Sequence, residues 1–350
     1  MFKLLRRSLV FGVLALVSIA PSPDTNAATI ITRGAGAAAY GLANKSGGPS
    51  CTTYTWTDRT GSGSRLWNSI TSSSDGTKLA AGSAGYIYTS ADSGATWTAR
   101  TAAGSRTWLG IASSSDGTTI VAVASTLDVW TSADSGATWT DRTAPGARLW
   151  HGAASSSDGT KLAVNGGNPN DIWTSADGGV TWTDQTAAGA RNWFAIASSS
   201  DGTKLAAGAA AGNIWTSTDS GATWTDQTAS GTRNWSVIAS SSDGMKLAAA
   251  PGATGSNIYT SSDGGVTWTA RTAAGARSWG GIASSSNGNV LAAGVGTAGA
   301  DIWVSTDSGV TWTDQTAAGS RVWHGIASSS DGSKLAAVAS NGDIWTGTCP

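Results

Sequence analysis

Short apolar runs alternate with polar turns along most of this chain, and they come in a fixed order. Residues 191–200 (RNWFAIASSS) have the length of a strand and end at Asp201-Gly202. Asp-Gly is a strong two-residue hairpin signal, because both residues accept positive φ. Residues 203–207 return as a second strand, 213–217 (NIWTS) form a third, and 223–227 (TWTDQ) form a fourth in which Thr and Trp point to opposite faces. No run has helical period and no helix caps stand out. The pattern predicts a unit of four antiparallel strands.

That unit recurs after residue 50. The Trp of a Thr-Trp pair stands at Trp56, Trp97, Trp139, Trp182, Trp224, Trp268 and Trp312, at intervals of 41, 42, 43, 42, 44 and 44. Eleven residues after each comes another: Trp67, Trp108, Trp150, Trp193, Trp235, Trp279 and Trp323. A third slot holds Tyr88, Trp130, Trp173, Trp215, Tyr259, Trp303 and Trp345. The hairpin signal recurs at Asp75, Asp116, Asp158, Asp243 and Asp331, with Asn287-Gly288 in its place once. A period in the low forties is that of a four-stranded blade. The expected fold is all-β, a seven-bladed propeller of four-stranded antiparallel blades over 51–350.

The first fifty residues fit no repeat. Lys3, Arg6 and Arg7 precede a 13-residue apolar stretch, Ser8 to Ala20, and small residues lead to an expected cut after Ala27. This reads as a signal peptide over 1–27, too short to span a bilayer, which implies export to a secreted or periplasmic location and no span after cleavage. Residues 28–50, rich in Ala and Gly, read as a linker.

Composition narrows the chemistry. All 22 acidic residues are Asp, so no mechanism that needs Glu applies. Two His and two Cys leave no multi-His or Cys-rich metal site, and no cofactor motif is present. A net charge of −1 gives no reason to expect nucleic acid.

Between strands three and four lies S-x-D-x-G-x-T-W, intact six times, with its Asp at Asp92, Asp134, Asp177, Asp219, Asp263 and Asp307. The carboxylate can accept N–H groups of its own turn, and the Gly takes a positive φ. These copies, at blade spacing, resemble the Asp-box, or bacterial-neuraminidase-repeat, family of β-propellers. That family includes sialidases, other glycosidases, sortilin-type receptors and photosystem II assembly factors, so the resemblance is specific for fold and weak for function. The seventh box is missing. Cys349 lies four residues after Trp345, and Cys51 five before Trp56, so both fall in the slot of the box Asp. The last blade should take its outer strand from residues 53–59, with a Cys51–Cys349 disulfide closing the ring.

In such a fold, loops before strand one and between strands two and three share a face. The latter vary in length, at 82–85, 124–127, 165–170, 208–212, 250–256, 294–300 and 339–342. On that face stand Arg65, Arg106, Arg148, Arg191, Arg233, Arg277 and Arg321, each two residues before the second Trp. They are candidate anion or sugar ligands. Equally, each could lie on that Trp as a cation–π pair, since residues i and i+2 point the same way. The pairs flanking the Trp differ from copy to copy, which makes His151, Phe194 and His324 candidates for a unique site. The two His fall across the ring, so a shared metal is not expected.

The sialidases' Tyr–Glu pair has no counterpart, and none of the five Tyr lies on a first strand. Most Asp occupy repeated turn slots, and Asp128, Asp171, Asp301 and Asp343 recur before strand three. Three functions stay open. One is a secreted, non-catalytic module binding a glycan or cell-surface polymer on the loop face, which exposed Trp would support. Another is a protein-binding scaffold. The third is a glycoside hydrolase, which needs paired acids at the channel mouth.

Overall fold

Hydrogen bonding in this computed structural model forms four separate four-stranded antiparallel sheets and one twelve-stranded sheet, in which the last, first and second sets of four are joined by short pairings such as Arg65 with Gly342. The structure describes residues 51–125, 129–167 and 170–350. The expected signal peptide and linker lie outside the described residues. In the fourth repeat the strands are Trp193–Ser198, Leu205–Ala209, Ile214–Ser217 and Thr225–Gln227, paired antiparallel in that order. The observed first strand starts two residues later than its pattern suggested, because Arg191 pairs instead with Asn170 of the preceding repeat. The last set is completed from the other end of the chain: Thr55–Arg59 pairs with Ile344–Thr348, with Trp56 opposite Gly347. Cys51 and Cys349 are disulfide-bonded, Cα to Cα 6.0 Å.

Two of the expected loops are strand. Leu79–Gly85 and Lys334–Gly342 run on through 82–85 and 339–342, and Ala84 and Gly85 pair with Thr107 and Arg106 of the next set. Among the described residues, helix is limited to single turns after some fourth strands, such as Thr228–Ser230.

The core lies between successive sets. Ala154, Ala163 and Ile172 of the third pack with Trp193, Ile196 and Leu205 of the fourth. The first-strand Trp are the anchors, all 0–2% exposed. Burying such a ring removes 150–250 Å² from water. Small residues opposite make room for it. A Cβ on Gly208 would lie 2.7 Å from the Cβ of Trp235 in the next set.

The serine triplets that end the first strands are stitched together. The Ser74 amide donates to the Ser115 carbonyl, Ser115 to Ser157, Ser157 to Ser200, Ser200 to Ser242, Ser242 to Ser286, and Ser286 to Ser330, all at 2.7–2.8 Å. Ser330 then donates to the Ser74 carbonyl at 2.7 Å. Serines of these triplets line a cavity of about 590 Å³.

Beside it, the turns between strands three and four share one design. Asp219 Oδ1 accepts the Thr223 amide and the Ser217 hydroxyl, both at 2.8 Å, and Oδ2 accepts the Thr223 hydroxyl at 2.6 Å. The same carboxylate bonds form at Asp92, Asp134, Asp177, Asp263 and Asp307. In these five other turns the box Trp adds an indole bond, as Trp312 Nε1 donates to the Gly309 carbonyl at 2.9 Å, whereas Trp224 Nε1 is buried without a partner.

Candidate functional site

Each first strand carries an irregularity at one place. Trp193 pairs with Ala209 and Ala195 with Gly208, so Phe194 is an extra residue without a partner. The same slip occurs after Trp67, Trp108, Trp150, Trp235, Trp279 and Trp323. A bulge of this kind re-aims a side chain and often marks a functional rim. Here it singles out Asn68, Leu109, His151, Phe194, Ser236, Gly280 and His324. None carries a fixed charge and no two neighbours are alike.

Two of these side chains reach the next repeat, while the Ser236 hydroxyl donates to Ala250 of its own repeat. Asn68 Nδ2 donates to the Trp108 carbonyl at 3.0 Å, and His151 Nδ1 to the Trp193 carbonyl at 3.0 Å. A carbonyl only accepts, so His151 holds its proton on Nδ1 and keeps Nε2 as an acceptor. Burial pulls the His151 pKa below its ordinary value, with the Trp193 bond opposing, so the ring is neutral at pH 7. His324 is lowered by burial too.

The structure brings two candidates together. His151 and Phe194 are stacked face to face, centroids 4.6 Å apart and planes within 1°. Phe194 is still 36% exposed. Asn192 and Gly167 lie close by, a Cβ on Gly167 meeting both Asn192 Oδ1 and His151 Cε1. His324 is not part of this group. No cluster of three His, Cys or Asp that could hold a metal exists among the described residues.

The i, i+2 contact forms for Arg65, Arg106, Arg191, Arg233 and Arg321, at 5.4–5.9 Å, but a ring on the third strand lies nearer. Arg191 Cζ is 4.3 Å from the third-strand Trp215 ring and 5.9 Å from Trp193. Arg65, Arg106, Arg233 and Arg321 repeat this choice over Tyr88, Trp130, Tyr259 and Trp345, at 4.2–4.5 Å. Arg148 lies 5.0 Å from Trp173 and Arg277 4.5 Å from Trp303. The first-strand Trp is sealed in the core, so the half-buried third-strand ring offers the free face. Many of these guanidiniums also cap a carbonyl, as Arg191 Nε does for Ala188 at 3.1 Å.

Carboxylate pairs do occur, but on third and fourth strands. Burial raises the pKa of Asp58, Asp184 and Asp314, reinforced by the nearby carboxylates of Asp343, Asp171 and Asp301 and offset by Arg321, Arg148 and Arg277. In each, Oδ1 is buried without a partner. The fourth repeat has Asn213 there instead, donating to Asp226 at 2.8 Å.

No protein-family model and no curated protein matches the chain. Solved structures do. The GH74 xyloglucanase from Xanthomonas campestris superposes with a TM-score of 0.64 at 19% identity over 84% of this chain, which spans only 53% of that protein. YCF48 bound to a D1 peptide gives 0.63 at 16% identity over 85% of this chain and 97% of its own. YCF48 from Cyanidioschyzon merolae gives 0.60 at 15% identity over 83% and 98%. At such identities the likeness defines the fold, and the chain is a β-propeller.

Proposed function

We propose that this chain is an exported, closed seven-bladed propeller of the Asp-box kind. In this reading it recognises a neutral glycan or surface polymer at the rim formed by the seven bulge residues. The observation that carries it is the stacked His151–Phe194 pair. An exposed aromatic edge beside the Asn192 amide matches the apolar face and hydroxyls of an uncharged sugar. The seven Ser amide-to-carbonyl bonds support closure, and the turns at Asp92, Asp134, Asp177, Asp219, Asp263 and Asp307 support the repeat type. The expected Trp platform is not available: the first-strand Trp are buried, and no Trp is among the exposed large hydrophobics. The stacking surface therefore narrows to Phe194. The arginines, resting on aromatic rings, serve as packing in this reading, and the acid pairs belong to the third and fourth strands rather than to the first-strand bulges that form the rim.

A second reading is a protein-binding scaffold. It is favoured by the peptide-bound neighbour, which aligns along nearly its whole length, and by Leu66, 47% exposed beside the rim.

A glycan array separates the two. The first reading expects saturable binding that survives moderate salt and is lost in Phe194→Ala. Silence across neutral and acidic glycans, with a partner captured through Leu66 and Phe194, would replace it by the second.

A further inference from the structure

On the side of the hairpins and acid turns, gaps open between neighbouring sets of strands. In most gaps where a lysine flanks the hairpin, it bridges to the serine that follows the turn Asp of the next set. Lys78 Nζ donates to Ser135 Oγ at 3.2 Å, Lys246 to Ser308 at 3.2 Å, and Lys334 to Ser93 at 3.5 Å.

The gap after the fourth set breaks this pattern. Lys204 faces a turn in which Gly264 follows Asp263, so no hydroxyl meets it. Its Nζ bonds only the Asp243 carbonyl, at 2.7 Å. One residue pair away, Met245 stands where other hairpins carry Thr77, Thr118, Thr160, Thr203 or Ser333. These two exchanges coincide with a gap larger than those the three lysines bridge. It encloses about 880 Å³, against about 540, 280 and 220 Å³ in the gaps bridged by Lys246, Lys334 and Lys78. Its apolar lining is Leu205, Leu247, Met245 and Val266, the last two 37% and 59% exposed.

We propose that this groove binds a small amphipathic monocarboxylate, its carboxylate on Lys204 and its apolar body along Leu247, Met245 and Val266. The size is that of a small-molecule site. Lys204 keeps two donor protons free of protein partners, on a side chain suited to a single point charge. Asp263 lines the groove, but its oxygens are taken by Ser261 and Thr267. Its charge, together with that of Asp243, leaves room for one negative charge and disfavours two.

The probe is sodium octanoate, titrated calorimetrically into the purified protein, with octylamine as its cationic counterpart. Saturable one-to-one binding of octanoate is expected, weakened at least tenfold in Lys204→Gln and in Gly264→Ser and unchanged in Lys78→Gln. Octylamine should not bind. Gly264→Ser will fold, since Ser93, Ser135, Ser220 and Ser308 hold this position at φ of 56–61° and Gly264 sits at 71°. The proposal is overturned by the absence of saturable binding, by octylamine binding as tightly, by full affinity in Gly264→Ser or Lys204→Gln, or by an equal loss in Lys78→Gln.

Discussion

The His151 imidazole lies flat on the Phe194 ring, although the two residues belong to different repeats. Each is the extra residue of a bulge, and the carbonyl beside Phe194 holds the imidazole in place. The pair is therefore preorganised before any ligand arrives. Phe194→Ala should weaken glycan binding by about tenfold, roughly one stacking contact, and shift the melting temperature little, because the ring is half in solvent. His151→Ala should weaken it less and restore mobility to Phe194, visible as sharpened ring resonances. Equal affinities for all three proteins would remove the rim from the binding site.

Arg191→Met tests what the arginines do. A guanidinium on Trp215 contributes about 0.5–2 kcal/mol as a cation–π pair. The variant should unfold at lower denaturant by that amount, with glycan affinity unchanged. Unchanged stability together with lost binding to sulfated glycans would instead make the arginines ligands.

Joining Cys51 to Cys349 closes a loop of nearly the whole repeat region. A disulfide of this span stabilises by about 2–5 kcal/mol, mainly through the unfolded chain. Cys51→Ser/Cys349→Ser should lower the melting temperature and free Thr55–Arg59 first, read by hydrogen exchange at Trp56 and Thr57. Uniform exchange across all outer strands would show that the bond does not guard this one.

Acid should act with two signs. Serine and threonine hydroxyls and turn amides hold Asp75, Asp92, Asp116 and Asp177 down to about 2. The unfolded value is near 4. Their stabilisation is present above about pH 4 and lost as pH falls through about 2. Asp184 is raised, so its share is present at low pH and lost as pH climbs through its folded value. Asp171→Asn copies the Asn213–Asp226 bond and removes the opposing carboxylate. It should raise the melting temperature at pH 7, with the gain shrinking toward pH 3. A gain independent of pH would mean that packing, not charge, is responsible.

Much of this was legible in the residues. The aromatic spacing predicted sets of four strands, the shared slot of the two cysteines predicted their bond, and Asp-Gly placed the hairpins. Two things were not. The bulge after each first-strand Trp leaves no residue signature, since Asn, Leu, His, Phe, Ser and Gly all occupy it; it is imposed by the backbone meeting its neighbour. Five of the arginines do reach the Trp two residues on, at 5.4–5.9 Å, but the nearer third-strand ring went unseen because two-residue periodicity describes one strand and is blind to burial. It could not tell that Trp193 would be enclosed while Trp215 stayed partly open. Lys204 was invisible for a similar reason: its missing partner, Gly264, belongs to another repeat.

The serine amides on the hairpin side of the molecule run head to tail, and the last meets the first. An α-helix sums its peptide dipoles along one axis and leaves bare N–H groups at one end. Here the dipoles run tangentially and cancel around the loop, with neither a first donor nor a last acceptor. These seven bonds thus leave no net dipole along the axis for an ion to read. The electrical character there is set by side chains, by neutral hydroxyls within and turn carboxylates around them, and can be rewritten by substitution without disturbing the stitching.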